Sequence, residues 1–499
     1  MVLLLRARLL LGSGPRFSTP TFSHSGFGRP QFLPSHPGPR IESGVHLVSI
    51  NPTTGEQLEL HPQHTGAQVE LILGRANHTF RSWRRTPLQE RAQAVLRLGT
   101  LLGARTRELA RIAAEEMGKP ITQGRAEVEK CAWCCEQQAA AAPSILAERP
   151  VTTAFKTSRV AFEPLGVVVA IMPWNYPFWQ VIRAAVPALL AGNTVVLKHA
   201  SYVTRCALAL EELFLKAGFD PGTFSVLRLD SSRLGPVILH PVVRAVTMTG
   251  STPAGRQIAG AAGAALRKTV LELGGNDAYL ILADADVPMA ARVCAEARLI
   301  NGGQSCIAAK RFIVMESVLA AFEEYLTESF ASFRSGDPLD EATTLGPLAR
   351  NDLRAELHSQ VTRSISAGST CLAGGKLPAG LGCFYPPTIL TDVVPGMPVF
   401  DEETFGPVAA IVSARTENEA IELANRSSYG LGAAIFSSNA ERALDIATHR
   451  LEAGCCFVNG AVRSDPRLPF GGIKDSGWGR ELGAFGMLEF VNIKTIAAP

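Results

Sequence analysis

Three side chains in this sequence are of the types that work together on a carbonyl carbon. Cys306 closes the run Asn301-Gly302-Gly303-Gln304-Ser305-Cys306. A cysteine after a glycine-rich turn is exposed and nucleophilic once its thiolate is stabilised. Glu272 stands in Leu271-Glu272-Leu273-Gly274-Gly275, where apolar neighbours on both sides predict burial and a pKa raised toward that of a usable base. Asn175 lies in Pro173-Trp174-Asn175-Tyr176-Pro177; two prolines fix the turn, and the amide offers N–H groups to an oxyanion. Alone, each residue reads as easily as a buried thiol, a solvated acid or a turn former. Together they supply a nucleophile, a base and an oxyanion donor.

Two further features concern ligands. Thr249-Gly250-Ser251-Thr252-Pro253-Ala254-Gly255 falls between a predicted strand and a predicted helix. Gly250 allows close backbone approach, and Ser251 can donate to a phosphate or cap the helix, whose free N–H groups favour an anion. The dinucleotide pattern G-x-G-x-x-G is absent from every strand-to-helix turn of the body. Arg183 lies eight residues after Asn175 in an otherwise apolar stretch (Phe178, Trp179, Val181, Ile182, Ala184). Its guanidinium either binds a carboxylate in two-pronged fashion or snorkels to the surface.

The elements that must position these groups alternate. Val167–Met172 is a short β-branched run suited to a strand buried on both faces. A helical stretch follows Pro177, then strand signals at 194–197, 224–227, 245–248 and 269–273, with a helix at 206–215. This is the pattern of a parallel sheet with helices on both faces, in which ligands bind beyond the carboxyl ends of the strands. Pro173, Lys198 and Gly250 all fall there. A second mixed segment, 276–465, carries strands at 312–314, 409–412 and 433–436 and a helix at 440–447. Near the start, Thr86-Pro87-Leu88-Gln89 predicts a helix with Thr86 as its N-cap.

Composition sets the outer bounds. The chain has 499 residues, and 48 Lys and Arg face 45 Asp and Glu. Five arginines (Arg6, Arg8, Arg16, Arg29, Arg40) and no acidic residue lie in the first 41 positions. This arginine-bearing, Ser/Pro/Gly-rich segment reads as a mitochondrial transit peptide, so the expected location is the mitochondrial matrix, with the cytoplasm as the alternative. The remaining 43 basic and 45 acidic residues give no nucleic-acid footprint. No apolar run is long enough to span a membrane. Ten irregularly spaced cysteines fit a reduced protein, and Cys131, Cys134 and Cys135 read as one core-facing helix surface, so no metal site is expected.

Taken together, L-E-L-G-G at 271–275, N-x-G-Q-x-C at 301–306 and P-W-N-x-P at 173–177 resemble the aldehyde dehydrogenase superfamily. Glu402-Glu403-Thr404-Phe405-Gly406-Pro407-Val408 and Pro469-Phe470-Gly471-Gly472-Ile473-Lys474-Asp475-Ser476-Gly477 extend the likeness from about residue 45 to the C-terminus. The resemblance implies an α/β fold: a Rossmann-type parallel-sheet cofactor domain (45–138 and 160–275), an α/β catalytic domain (276–466), and a small β oligomerisation element (139–159 and 480–499) building a homodimer or homotetramer. It implies oxidation of an aldehyde through a Cys306 thioester, with Asn175 holding the oxyanion and Glu272 activating water. NAD or NADP would lie along Met172, Pro173, Trp174, Lys198, Ser201, Gly250, Ser251, Glu403 and Phe405, with Lys198 at the adenosine ribose.

Departures from the family pattern matter too. NAD-preferring members commonly carry Glu where this chain has Ser201, so no carboxylate repels a 2′-phosphate, and His199 is placed to assist one. Arg183 and the stretch Arg463-Ser464-Asp465-Pro466-Arg467 resemble succinate-semialdehyde dehydrogenases of a bacterial type. That likeness assigns Arg183 and Ser464 to the distal carboxylate of the substrate, with other small aldehydes as the alternative. The second arginine of the animal mitochondrial type is Ile300 here, with Arg298 close by in sequence.

Overall fold

The computed structural model describes residues 46–499; the transit-peptide reading of 1–41 lies outside them. Five strands form the first parallel sheet: Val167–Met172, Thr194–His199, Phe224–Val226, Val243–Thr249 and Lys268–Glu272. In space they run third, second, first, fourth, fifth, the order of a doubly wound dinucleotide-binding sheet without its sixth parallel strand. All six residues of Val167–Met172 are buried, as a β-branched run covered on both faces requires. The order reverses between the first and fourth strands. A crevice therefore opens at their carboxyl ends, where Pro173 and Gly250 stand.

A second sheet has seven strands, in the order Thr370–Ala373, Thr388–Thr391, Val408–Ala414, Arg311–Met315, Ala278–Ile281, Gly432–Phe436 and Cys455–Val458. Only its first pair is antiparallel. A third, three-stranded antiparallel sheet joins Val491–Ala498, Thr157–Pro164 and Arg149–Pro150.

Several details differ from the sequence reading. The helix after Thr86 spans Leu88–Ala104 with Pro87 at the cap position and no side-chain cap bond; the Thr86 hydroxyl donates backward to Ser82 O at 3.4 Å. The helix Ile121–Ile145 runs through the expected boundary at 138, because Ala139 and Ala142 keep its core-facing surface going. Its Cys131, Cys134 and Cys135 are fully buried in the apolar core. The sheet edge beside Lys268–Glu272 is filled by Gly477–Trp478, antiparallel to it, a tail segment outside the ranges expected for the cofactor domain.

One buried side chain ties the first sheet to the tail. Asn193 Oδ1 accepts from Leu165 N (2.8 Å) and Gly166 N (3.0 Å), while Nδ2 donates to Ala188 O (3.0 Å) and Phe490 O (2.8 Å). All four capacities of the amide are used. Asn193→Ala would leave these backbone groups unpaired in the interior, and we expect a loss of about 3–5 kcal/mol. A urea-unfolding midpoint corresponding to a loss below about 1 kcal/mol would contradict this account of the junction.

Candidate active site

The nucleophile sits at the end of a left-handed run. Asn301, Gly302 and Gly303 have φ of +53°, +64° and +73°, which swings the chain from the helix Val287–Leu299 toward the strand Arg311–Met315. Glycine is required at 303, since a Cβ there would meet the Gly406 carbonyl. Polar side chains hold the loop from several directions. Asn301 Nδ2 donates to Asn175 O (2.8 Å), Arg298 Nη2 to Gly303 O (2.6 Å), and Gln304 Oε1 accepts from Ala349 N (2.9 Å). Lys310, fully buried, donates to the carbonyls of Cys306 (2.6 Å), Ser305 (3.1 Å) and Ala308 (3.2 Å).

Cys306 is half-buried at the end of this loop. Burial pushes its thiol up to about 12, and the charges of Arg183 and Lys310 pull it back toward ionisation. Asn175 is buried, with Nδ2 donating to Gln304 O at 3.0 Å; the other amide hydrogen takes no protein partner. Asn175 and Cys306 line the same cleft. Its turn is anchored from behind by Glu127, whose Oε1 accepts from the Phe178 and Trp179 amides (2.8 and 2.9 Å) at the start of the helix Trp179–Leu190. The charge of Glu127 is met by buried Lys119.

Glu272 ends the strand Lys268–Glu272, is buried, and has neither carboxylate oxygen hydrogen-bonded within the protein. Burial raises its pKa well above the ordinary carboxylate range; Glu481 raises it further, and Arg183 and Arg480 oppose. A carboxyl in this state takes a proton readily and has no competing partner, as a general base requires.

Arg183 is placed differently from either sequence reading. It neither reaches the surface nor offers a free fork. Its guanidinium is buried against the carboxylate of Glu481, lies 4.9 Å from the centre of the Phe470 ring, and approaches Thr249 Oγ1 at 3.4 Å. Glu481 already supplies the carboxylate, which corrects the expectation of a free two-pronged clamp. Ser464 is buried and accepts from Lys130 Nζ at 2.8 Å. Arg298, adjacent in sequence to the expected substrate side, is turned inward onto Gly303 O, and Ile300 is exposed.

The cleft encloses roughly 890 Å³, part of it open to solvent, and Pro173, Trp174, Gly250, Ser251, Glu403 and Phe405 line it beside Cys306. Its lining of two aromatic rings, a carboxylate and a strand-to-helix turn suits part of a dinucleotide. Ser251 precedes the helix Thr252–Ala264 but makes no side-chain cap bond, so its hydroxyl and the first-turn N–H groups are available to a phosphate. Trp174 and Phe405 meet edge-on at 5.7 Å, and Glu403 accepts from Gly275 N at 3.0 Å.

Met172, Lys198 and Ser201 lie outside the lining of this cleft. Met172 O accepts from Ala200 N, and Ser201 O accepts from Thr204 Oγ1. Lys198 is buried at the end of its strand and donates to Ser231 Oγ at 2.7 Å; burial lowers it to about 8, with Asp230 opposing. His199 departs from expectation. Its ring faces inward, with Nε2 on Pro177 O and Nδ1 accepting from Ala200 N (both 2.9 Å), and burial lowers its pKa to about 4. A neutral, doubly engaged imidazole gives no charge to a 2′-phosphate.

Glu481, Lys310 and Lys130 went unnoticed in the sequence. The one hint for Glu481 is that Glu481-Leu482-Gly483 repeats the order Glu272-Leu273-Gly274. Lys310 had only its spacing of four from the nucleophile.

Comparison with known proteins identifies the family. The model of the aldehyde dehydrogenase family matches residues 41–496. Succinate semialdehyde dehydrogenase [NAD(P)+] Sad of Escherichia coli (strain K12) is 46% identical over 456 residues, covering 91% of this chain and 98% of that protein. A succinate-semialdehyde dehydrogenase [NADP(+)] of Deinococcus radiodurans is 42% identical over 452 residues (91% and 94%). Among solved structures, the succinic semialdehyde dehydrogenase of Streptococcus pyogenes in complex with NADP+ superposes with a TM-score of 0.89 at 38% identity, over 91% of this chain and all of that one. The family match thus spans both large sheets and the tail that completes the first of them, and the chain belongs to the aldehyde dehydrogenase family.

Proposed function

We propose that the protein oxidises an aldehyde to a carboxylic acid through a thioester on Cys306, with succinate semialdehyde as substrate and NAD or NADP as cofactor. The observation that carries the chemistry is the junction of three parts. Cys306 and Asn175 share one cleft, and unpaired, buried Glu272 ends the strand whose continuation, Leu273-Gly274, lines that cleft. The Cys306 thiolate attacks the aldehyde carbon, and the oxyanion is held by the free Asn175 amide hydrogen and the Cys306 backbone N–H. Bound NAD(P) supplies the hydride acceptor. Glu272 then takes a proton from the water that attacks the thioester, releasing the carboxylate and the thiol.

The substrate and cofactor readings draw on the printed names of the relatives, which carry both succinate semialdehyde and NAD(P)+ or NADP(+). For the cofactor, Ser201 places no carboxylate against a 2′-phosphate, and buried Lys198 with Ser231 provides a cation and a hydroxyl beside it. The three-stranded sheet ending in Val491–Ala498 leaves Ile493 exposed, which supports assembly with further copies as a homodimer or homotetramer. For location, the acid-free, arginine-bearing segment 1–41 supports the mitochondrial matrix; the relatives named above are bacterial and lend it no support. No helix among the described residues is long and apolar enough to cross a membrane.

Two outcomes are expected. Asn175→Ala lowers kcat by about 10²–10³ while Cys306 remains alkylatable; a kcat within a few fold of wild type would remove Asn175 from the oxyanion site. Glu272 works only when deprotonated, so its raised pKa moves the rising limb of deacylation to higher pH. In single-turnover experiments thioester hydrolysis should climb with pH through a value above the ordinary carboxylate's, and Glu272→Gln should lose that limb and accumulate thioester. An unchanged pH profile in Glu272→Gln would assign the base elsewhere.

A further inference from the structure

An oxyanion held by the Cys306 N–H draws on one peptide group, the amide that joins Ser305 to Cys306. Both ends of that amide are unusual. Among the described residues the Cys306 N–H donates to no protein acceptor. The Ser305 carbonyl, by contrast, is doubly engaged, accepting from Ala308 N at 3.1 Å and from Lys310 Nζ at 3.1 Å. The C=O and N–H of a trans peptide point in opposite directions. Donors gathered on the carbonyl side therefore leave the N–H side clear for a ligand atom.

Lys310 commits its whole donor capacity to this segment. An ammonium has three N–H groups, and three carbonyls receive them, Ser305 (3.1 Å), Cys306 (2.6 Å) and Ala308 (3.2 Å). The carboxylates around it are engaged elsewhere. Glu403 Oε1 stands 3.7 Å away and accepts from Gly275 N, and Asp277 Oδ1 accepts from Gly432 N. Arg298, the other buried cation of this loop, donates to Gly303 O. Fastening carbonyls needs no charge, since a neutral amide or hydroxyl does it at a smaller desolvation cost than an ammonium. What the charge adds is polarisation. A cation on a carbonyl oxygen draws electron density through the amide, and bonds in series strengthen one another where water is scarce. The N–H at the far end becomes a stronger donor to developing negative charge, already oriented before that charge forms.

We propose that Lys310 is a positioning residue for the oxyanion: through Ser305 O it fixes and polarises the peptide whose Cys306 N–H receives the negative oxygen of the tetrahedral intermediate. It touches no reacting atom. The inference rests on the thioester reading of Cys306 above. The same ammonium also favours ionisation of the thiol, so the two effects have to be measured apart.

Two reactions of Cys306 separate them, and neither needs cofactor. In acylation by p-nitrophenyl acetate the thiolate adds to the ester carbonyl, an oxyanion forms, and p-nitrophenolate leaves as the acyl-enzyme appears. In alkylation by iodoacetamide the thiolate displaces iodide from a saturated carbon, and no oxyanion forms. Both need the same thiolate, so the ratio of the two rate constants cancels thiol ionisation and the folded fraction when both are followed at Cys306 by peptide mass spectrometry. Lys310→Met should lower the ratio of acylation to alkylation by about tenfold, less than the roughly 10²–10³ expected for losing a donor outright. Lys310→Gln, which keeps N–H donors without the charge, should lower it by about three- to tenfold and decides the matter alone should the methionine variant not fold. A ratio within about twofold of wild type would leave Lys310 a fastener and overturn the proposal. If wild-type Cys306 is alkylated but takes no acyl group from the ester, the thioester reading itself fails, a result independent of any substitution at Lys310.

Discussion

One buried guanidinium between two buried carboxylates organises the active site. Arg183 cannot satisfy both Glu481 and Glu272, and the structure resolves the competition by contact with Glu481 alone. Glu481 is thereby held in an internal pair, where burial raises its pKa and Arg183 draws it back down, and Glu272 is left desolvated and unpartnered, with a pKa pushed up by burial and by Glu481 itself. Buried ion pairs contribute little net stability; the yield here is an asymmetry between two otherwise similar acids. The three residues come from a helix, a strand end and the tail, so the asymmetry exists only when sheet, helix and tail are docked together.

The nucleophile side uses a different device. Lys310 places a buried ammonium under the loop and donates to three of its carbonyls, Cys306 included. The same charge stands 3.7 Å from Glu403 on the cofactor side. It therefore acts as a fastener for the segment that carries the nucleophile, 305–308, and as a source of positive field for the thiol. Lys119 and Glu127 do comparable work for Asn175, since the pair supplies the carboxylate that receives the first amides of the helix Trp179–Leu190.

Much of this was legible in the residues. The β-branched run Val167–Met172 and the alternation after it gave the parallel sheet, and the three chemical residues lay in motifs bounded by glycine or proline, where local turn geometry is written in the sequence. What was not legible depended on residues distant in sequence. Arg183 stood in an apolar stretch, and nothing near it revealed that its partner lay about three hundred positions on, at Glu481. His199 was expected to face a phosphate because it follows Lys198, yet strand alternation sends the two side chains to opposite faces, and His199 turned toward Pro177. Thr86 had the cap sequence but bonded backward into the preceding helix. The edge strand Gly477–Trp478 carried no strand signal of its own; it is two residues long and exists because Lys268–Glu272 offers it a ladder.

That short edge strand has a consequence for how the chain is made. Ser476 Oγ donates to Gly274 O across 202 positions of sequence, and Gly477 pairs with Glu272 itself. At ribosomal speeds of roughly 5–20 residues per second, the base-bearing strand waits about ten to forty seconds for its neighbour to be synthesised. During that interval the nascent chain presents an open strand edge, the kind of surface that recruits unwanted pairing.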